Sequence, residues 1–327
     1  MPVTSEYIAN TQTEPSIPGD PLSTLLRRLR LSARVFLRAD FCGDWAVDTS
    51  GERRAPFHLV TRGTGWLHQP GAAPQLMTAG DLVVFPSDTA HALSSSEAGP
   101  PYMRVNRPVE DPADLTGPVT SLLCGYFSFD RRAAAPLLDG LPGSIVLHLN
   151  EAAQHQNTGA LVQLWMSEAA GQAPGCDAAI DQLAYVVFIH LLREQLARGA
   201  IKGPLLGLAD ARLGPVLNRI HADPGSIGSV DAMANMTSMS RSAFADRFKK
   251  VVGLTPGRYL GHWRMQLAIE LLVESDLPIA SIAEQCGYES EVAFRKAFRQ
   301  SVGEPPGKFR RDGMGVPLDR YGTTILK

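Results

Sequence analysis

The chain has 327 residues, 44% of them hydrophobic, which suggests two packed domains and excludes a largely disordered protein. No apolar run reaches the roughly 18 residues of a membrane helix, and the opening Met-Pro-Val-Thr-Ser-Glu lacks the order of a secretory signal, so a cytoplasmic protein that makes no membrane contact is expected. The net charge of −2 argues against nucleic acid until the chain is divided: it is +3 from Leu206 onward and −5 before it, which places phosphate-facing charge in the C-terminal part.

Residues 1–20 are polar and aperiodic and read as a mobile tail. Residues 21–31 read as an amphipathic helix, with Leu22, Leu25, Leu26 and Leu29 on one side and Arg27, Arg28 and Arg30 opposite or flanking. Short β-type runs follow at 33–37, 57–61, 65–68, 81–85 and 121–129, separated by Gly, Pro and Asp. Such spacing predicts an antiparallel sandwich or barrel, and residues 21–150 are taken as one sensor domain. Residues 100–119 hold several prolines and acidic residues and read as a surface loop. Residues 161–168 and 178–198 are helical patterns, the second with an apolar stripe from Ile180 to Leu196, so 151–202 is expected to be a helical linker that also makes a homodimer contact. Gly203 and Pro204 mark a hinge, and 210–221 reads as the opening helix of a C-terminal domain over 203–327.

Within that domain one pattern occurs twice in register. Phe244, Phe248, Gly253, Pro256 and Tyr259 reappear fifty positions on as Phe294, Phe298, Gly303, Pro306 and Phe309. Each copy reads as a short helix (230–236 and 279–286), a tight break, an N-cap serine (Ser240 or Ser290), and a second helix that buries its i, i+4 phenylalanines. Its other face is basic: Arg241, Arg247, Lys249 and Lys250 in one copy, Arg295, Lys296 and Arg299 in the other. A helix-turn-helix with a basic outer face lays its second helix in the DNA major groove. The groove-facing side chains are expected to be Arg241, Ser242, Ala245, Asp246 and Lys249, then Ser290, Val292, Arg295, Lys296 and Arg299.

Gly-x-Thr-Pro-x-x-Tyr after the first copy, Trp263-Arg264-Met265 on the connecting helix, and Cys-Gly-Tyr-x-Ser with the closing Pro-x-x-Phe-Arg resemble the AraC/XylS transcriptional regulators over residues 208–311. The resemblance implies that residues 256–273 form a spacer helix setting the two units on neighbouring groove segments. It also implies promoter DNA and RNA polymerase as partners. Glu304-Pro305 departs from the pattern, where a small residue and Ser or Thr usually precede the proline. Gly80-Asp-Leu-Val-Val-Phe-Pro-Ser-Asp-Thr-Ala-His91 is similar to the second cupin motif, while the first, with His-x-His and a downstream Glu, is not recognisable. The fold expected is therefore α+β: a cupin-like antiparallel barrel, a helical linker, and an all-α domain with two helix-turn-helices.

Cys42, His58, His91 and Cys124 each fall on or beside a different expected strand, and two thiols with two imidazoles suit tetrahedral Zn²⁺. The set is favoured because the resembled subfamily includes oxidant-sensing members, which implies a redox signal and a Cys42–Cys124 disulfide as one outcome. Cys176 and Cys286 lack histidine partners and are expected to be dispensable. Two other readings stay open: a regulator answering to a small organic ligand in the barrel, and a cupin-type metalloenzyme with a fused DNA-binding domain. The enzyme reading lacks a nucleotide loop, a Gly-x-Ser-x-Gly elbow and a full cupin metal triad.

Overall fold

The computed structural model describes residues 20–29, 31–51, 54–99, 117–129, 134, 137–148 and 156–313. The expected tail at 1–19 and most of the expected loop at 100–119 lie outside the described residues. Asp20, read as the end of the tail, instead caps the first helix, α1 (Pro21–Arg28), by accepting the Leu22 and Ser23 N–H groups at 3.1 Å each.

Among the described residues nine strands follow, forming two sheets: β1 (Ser32–Cys42), β2 (Ala46–Val47), β3 (Ala55–Arg62), β4 (Thr64–His68), β5 (Gln75–Thr78), β6 (Leu82–Val84), β7 (Ala92–Ser94), β8 (Val119–Ser128) and β9 (Ile145–Leu147). One sheet has the order β1-β8-β3-β6-β9 and the other β2-β7-β4-β5, with antiparallel pairing throughout. Four strands absent from the expectation, β2, β5, β7 and β9, are two to four residues long. So short a run displays no period-2 signal, and only pairing with longer neighbours makes it a strand.

Alternation along β3 divides the interior in two. Phe57 and Leu59 face one core, which the linker helices cover; Val60 faces a second core between the sheets, with Phe41, Met77, Phe85 and Cys124. The covering helices are α2 (Gln156–Ala170) and α3 (Cys176–Ala197), held by ring contacts of Phe57 with Trp165 (5.2 Å between centroids) and Phe127 with Phe188 (4.4 Å). Most of the α3 stripe is thereby buried inside its own chain, including Ile180, Ala184, Val187, Phe188, Leu191 and Leu192.

The chain then passes the expected hinge. Lys202 donates its N–H to Gly140 O at 2.8 Å, and a Cβ on Gly140 would lie 2.1 Å from Lys202 O, so only glycine allows that approach. Next come α4 (Pro204–Ala209) and α5 (Leu213–Ala222), against which α1 packs. Arg28 of α1 donates Nε to His221 O (2.9 Å) and Nη2 to Ala222 O (3.0 Å), capping the C-terminal end of α5, while its Nη1 pairs with Glu270 at 2.6 Å. The helix read as the opening of the sensor domain is thus seated on the C-terminal part.

Candidate functional site

Two helix-turn-helices follow among the described residues: α6 (Val230–Met236) with α7 (Arg241–Val252), and α9 (Ile279–Gln285) with α10 (Glu291–Val302). Between them runs α8 (Pro256–Glu274), and α11 (Pro306–Gly313) closes the second unit. The duplicated sequence yields duplicated geometry. Ser240 Oγ accepts Ala243 N–H at 3.3 Å and Ser290 Oγ accepts Ala293 N–H at 3.2 Å. Each second helix ends on a left-handed glycine, Gly253 at φ 84° and Gly303 at φ 93°. The Phe244–Phe248 and Phe294–Phe298 rings sit 5.6 and 5.8 Å apart. In the second unit's break Gly287 adopts φ 75°, and a Cβ there would meet Gly225 O at 2.5 Å.

On the outer faces, Arg241, Ser242, Asp246, Lys249, Ser290, Val292, Arg295, Lys296 and Arg299 are exposed, Val292 at 78%, while Ala245 is half-buried. Exposure does not make them equivalent. Arg241 pairs with Asp231 at 3.1 Å, Arg247 with Asp210 at 2.6 Å, and Arg295 with Glu291 through Nε at 2.6 Å and Nη2 at 2.5 Å. Three arginines counted on the basic faces therefore already hold carboxylates, whereas no salt bridge among the described residues engages Lys249, Lys296 or Arg299.

The barrel brings together three of the four expected zinc ligands. His58 on β3 lies opposite Cys124 on β8, with Nδ1 3.0 Å from Sγ; its Nε2 is 3.0 Å from Nε2 of His91, which leads into β7. Thr49 Oγ1, which no sequence signal marked, stands 3.2 Å from both Nε2 atoms. Cys42 is elsewhere: it pairs with Val119 at one end of β1, while Cys124 faces Leu37, five residues along. At 3.4 Å per residue that is about 17 Å, beyond the roughly 7 Å Cα separation a disulfide tolerates, so neither the four-ligand set nor a Cys42–Cys124 bridge is assembled. Cys124 also occupies the wrong edge of His58. Its sulfur touches Nδ1, while Nε2 is the atom facing His91, and one ring cannot turn both nitrogens to one ion. Among the described residues no group of three or more His, Cys, Asp or Glu could hold a metal.

The cluster instead forms one directed hydrogen-bond chain. His91 Nδ1 lies 2.7 Å from the Thr89 carbonyl and must carry a proton there, which leaves Nε2 as acceptor. His58 Nε2–H then donates to His91, and Cys124 S–H donates to His58 Nδ1. Electrostatics agree, because burial holds the His58 imidazole well below its usual range, with His91 adding to the effect. Burial also lowers His91, against the opposing pull of Thr89 O, Asp48 and Asp88, and raises the Cys124 thiol. All three groups are therefore neutral at pH 7, and Cys124 is a thiol rather than the thiolate that attacks oxidants.

A cupin family model matches residues 20–197 and a helix-turn-helix domain model residues 233–312. An AraC-like transcription regulator of Streptomyces lividans is 32% identical over 302 residues, 89% of this chain and 98% of that protein. The HTH-type transcriptional regulator MtrA of Neisseria gonorrhoeae is 28% identical, covering 90% and 99%. The RCS-specific HTH-type transcriptional activator RclR of Escherichia coli is 28% identical, covering 78% and 83%.

Proposed function

The chain belongs to the AraC-type transcription regulators, and from that premise we propose that it reads promoter DNA with α7 and α10 and responds to a small organic ligand in its barrel. The observation that supports the reading best is the paired arrangement of α7 and α10, capped and packed alike and joined by α8. Base contacts come from the outer faces early in each second helix, where Lys296 of the second unit holds no salt bridge among the described residues while Arg241 and Arg295 hold carboxylates. Replacing Lys296 with Ala is expected to cost about 1–3 kcal/mol on a specific promoter site and less on random DNA, measured by mobility shift. Arg295→Ala is expected to cost less than Lys296→Ala, because Arg295 gives up Glu291 before it contacts a base. Equal losses on both DNAs would reduce Lys296 to a phosphate contact.

The ligand reading is preferred to the oxidant-and-zinc reading because Cys124 is buried as a neutral thiol and Cys42 lies outside the cluster. Similarity to oxidant-sensing members supports the latter, but the donor set does not suit zinc, and no step is derived through it. RNA polymerase follows as a partner from the regulatory role. A homodimer through α3 is retained as a proposal on the partly exposed Leu183, Val186, Ile189 and His190. Sedimentation of the full chain is expected to show self-association at tens of micromolar, the concentration scale on which modest affinities register, and monomers throughout would remove it.

A further inference from the structure

The two cores of the C-terminal half meet at one residue of α8. Tyr259, Leu260 and Trp263 belong to the core shared with the first helix-turn-helix, while Met265, Ala268, Ile269 and Leu272 belong to that of the second. Between the two sets stands Arg264, half-buried, and its guanidinium engages both units. Nη2 donates to Ile227 O at 2.6 Å and Nε to Pro224 O at 3.3 Å, which ties α8 to the single 3₁₀ turn (Pro224–Ser226) that leads into α6. The same guanidinium lies 5.5 Å from the ring centroid of Tyr288, in the break of the second unit, and that ring stands against Phe294 of α10 at 5.6 Å.

The backbones touch at the same place. A Cβ on Gly225 would overlap Gln285 O, and one on Gly287 would lie 2.7 Å from Arg264 Nη2. The turn before the first unit and the break inside the second therefore approach with no side chain between them. Cys286, next to Gly287, is 0% exposed, so water is kept from the joint and its hydrogen bonds act in a low dielectric. A lone helix between two units leaves each free to swing about the loops at its ends. This joint adds a second connection, polar where the apolar cores stop. The second unit cannot roll against the first without parting Arg264 from two carbonyls or from the ring.

We infer that Arg264 is a positioning residue for DNA recognition: it fixes the angle between α7 and α10, so that the protein accepts one spacing of two groove segments and rejects the neighbouring ones. The inference rests on the reading that both helices enter promoter DNA. One added base pair moves the next segment by about 3.4 Å and rotates it by about a tenth of a turn, a change that two helices at a fixed angle cannot follow. Lysine does not replace the arginine, because one ammonium on a flexible stem cannot hold two carbonyls and lie along a ring.

The test selects duplexes for the full chain from a random pool, and hydroxyl-radical footprinting marks the groove segments covered. Mobility shifts then compare the selected site with versions carrying one base pair more or fewer between the segments. The wild-type protein is expected to lose about tenfold on either version, the scale of a misplaced base contact, and Arg264→Ala and Arg264→Lys to lose only about threefold relative to their own binding of the selected site. Tyr288→Leu, which keeps Arg264 and removes only the ring beside it, is expected to narrow the ratio in the same way, and Tyr288→Phe to preserve it. Plain loss of stability lowers binding at every spacing by one factor, so a wild-type ratio in Arg264→Ala, Arg264→Lys and Tyr288→Leu overturns the positioning role. Wild-type binding indifferent to spacing overturns the fixed angle. A wild-type footprint on one groove segment alone overturns the reading that both helices enter DNA, and the role of Arg264 with it.

Discussion

Phe294→Ala is expected to remove about 3–5 kcal/mol of stability, the range for truncating a fully buried phenylalanine, and with it specific DNA binding. Phe294 is 0% exposed and packs between Tyr288, at 5.6 Å between ring centroids, and Phe298 at 5.8 Å. The core around it, with Met265, Ala268, Leu272, Ile282 and Phe309, is separate from the one shared by the barrel, linker helices and first helix-turn-helix. A cavity here has only a small set of neighbours to close it, so the loss falls on the second unit. Domains are stable by about 5–15 kcal/mol in total, which makes such a loss decisive locally. Chemical denaturation followed by circular dichroism is expected to show an early transition for the second unit. The tryptophan environments of the barrel side, Trp45 and Trp165, persist through it. Phe294→Leu, which leaves most of the apolar volume, is expected to retain part of the binding. A cost below about 1 kcal/mol for Phe294→Ala would mean that the residue is not the keystone of that small core.

The helical half was legible from sequence because its instructions are local. Serine caps, i, i+4 phenylalanines and left-handed glycines each act within a turn or two, and the fifty-residue offset showed these signals twice: α6 occupies the expected 230–236, and α8 runs one residue past the expected 256–273. The barrel was legible where strands are long and at the three-residue β6, which lies within the Gly80–His91 motif. The metal expectation failed for a related reason: residue type and approximate strand placement were readable, but register was not. Cys42 and Cys124 lie on adjacent strands and still end far apart, because pairing slides one to an end and the other to the middle. Arg28 and Thr49 carry no sequence motif at all. Their roles arise where α1 crosses to α5 and where the segment after β2 reaches the imidazoles, contacts 193 residues and 42 residues apart in sequence. Salt bridges on the reading helices were partly readable, since Glu291 and Arg295 are i, i+4 neighbours; Arg247 with Asp210, 37 residues apart, was not.

Acidification from pH 7.5 to 5.5 is expected to destabilise the protein by about 2–3 kcal/mol, through histidines that the fold keeps neutral. His58 is lowered well below its usual range by burial, reinforced by His91. His221 is lowered to about 3 by burial, with Arg28 and His262 adding to it; its ring stays neutral beside the Tyr259 hydroxyl at 2.7 Å. Both groups regain an ordinary value near 6.5 when the chain unfolds, so between that value and the folded one the unfolded state binds more protons. Their contribution is fully present above about pH 6.5 and is lost as pH falls toward the folded values, at about 1.4 kcal/mol per pH unit for each group. His91 shifts the same way by less, because Thr89 O, Asp48 and Asp88 favour its charged form. His190, half-buried, is lowered as well and adds little. Asp20 and Asp210 are lowered from 3.8, so their contributions are lost only below about pH 4, outside this window. Urea denaturation at the two pH values measures the difference. Repeating it on His58→Asn is expected to remove about half of the pH dependence, whatever the substitution costs at pH 7.5, because one of the two strongly shifted imidazoles is gone. Stability that holds level or rises on acidification would show that these imidazoles take up protons inside the fold, and the directed chain from Cys124 to Thr89 would have to be redrawn.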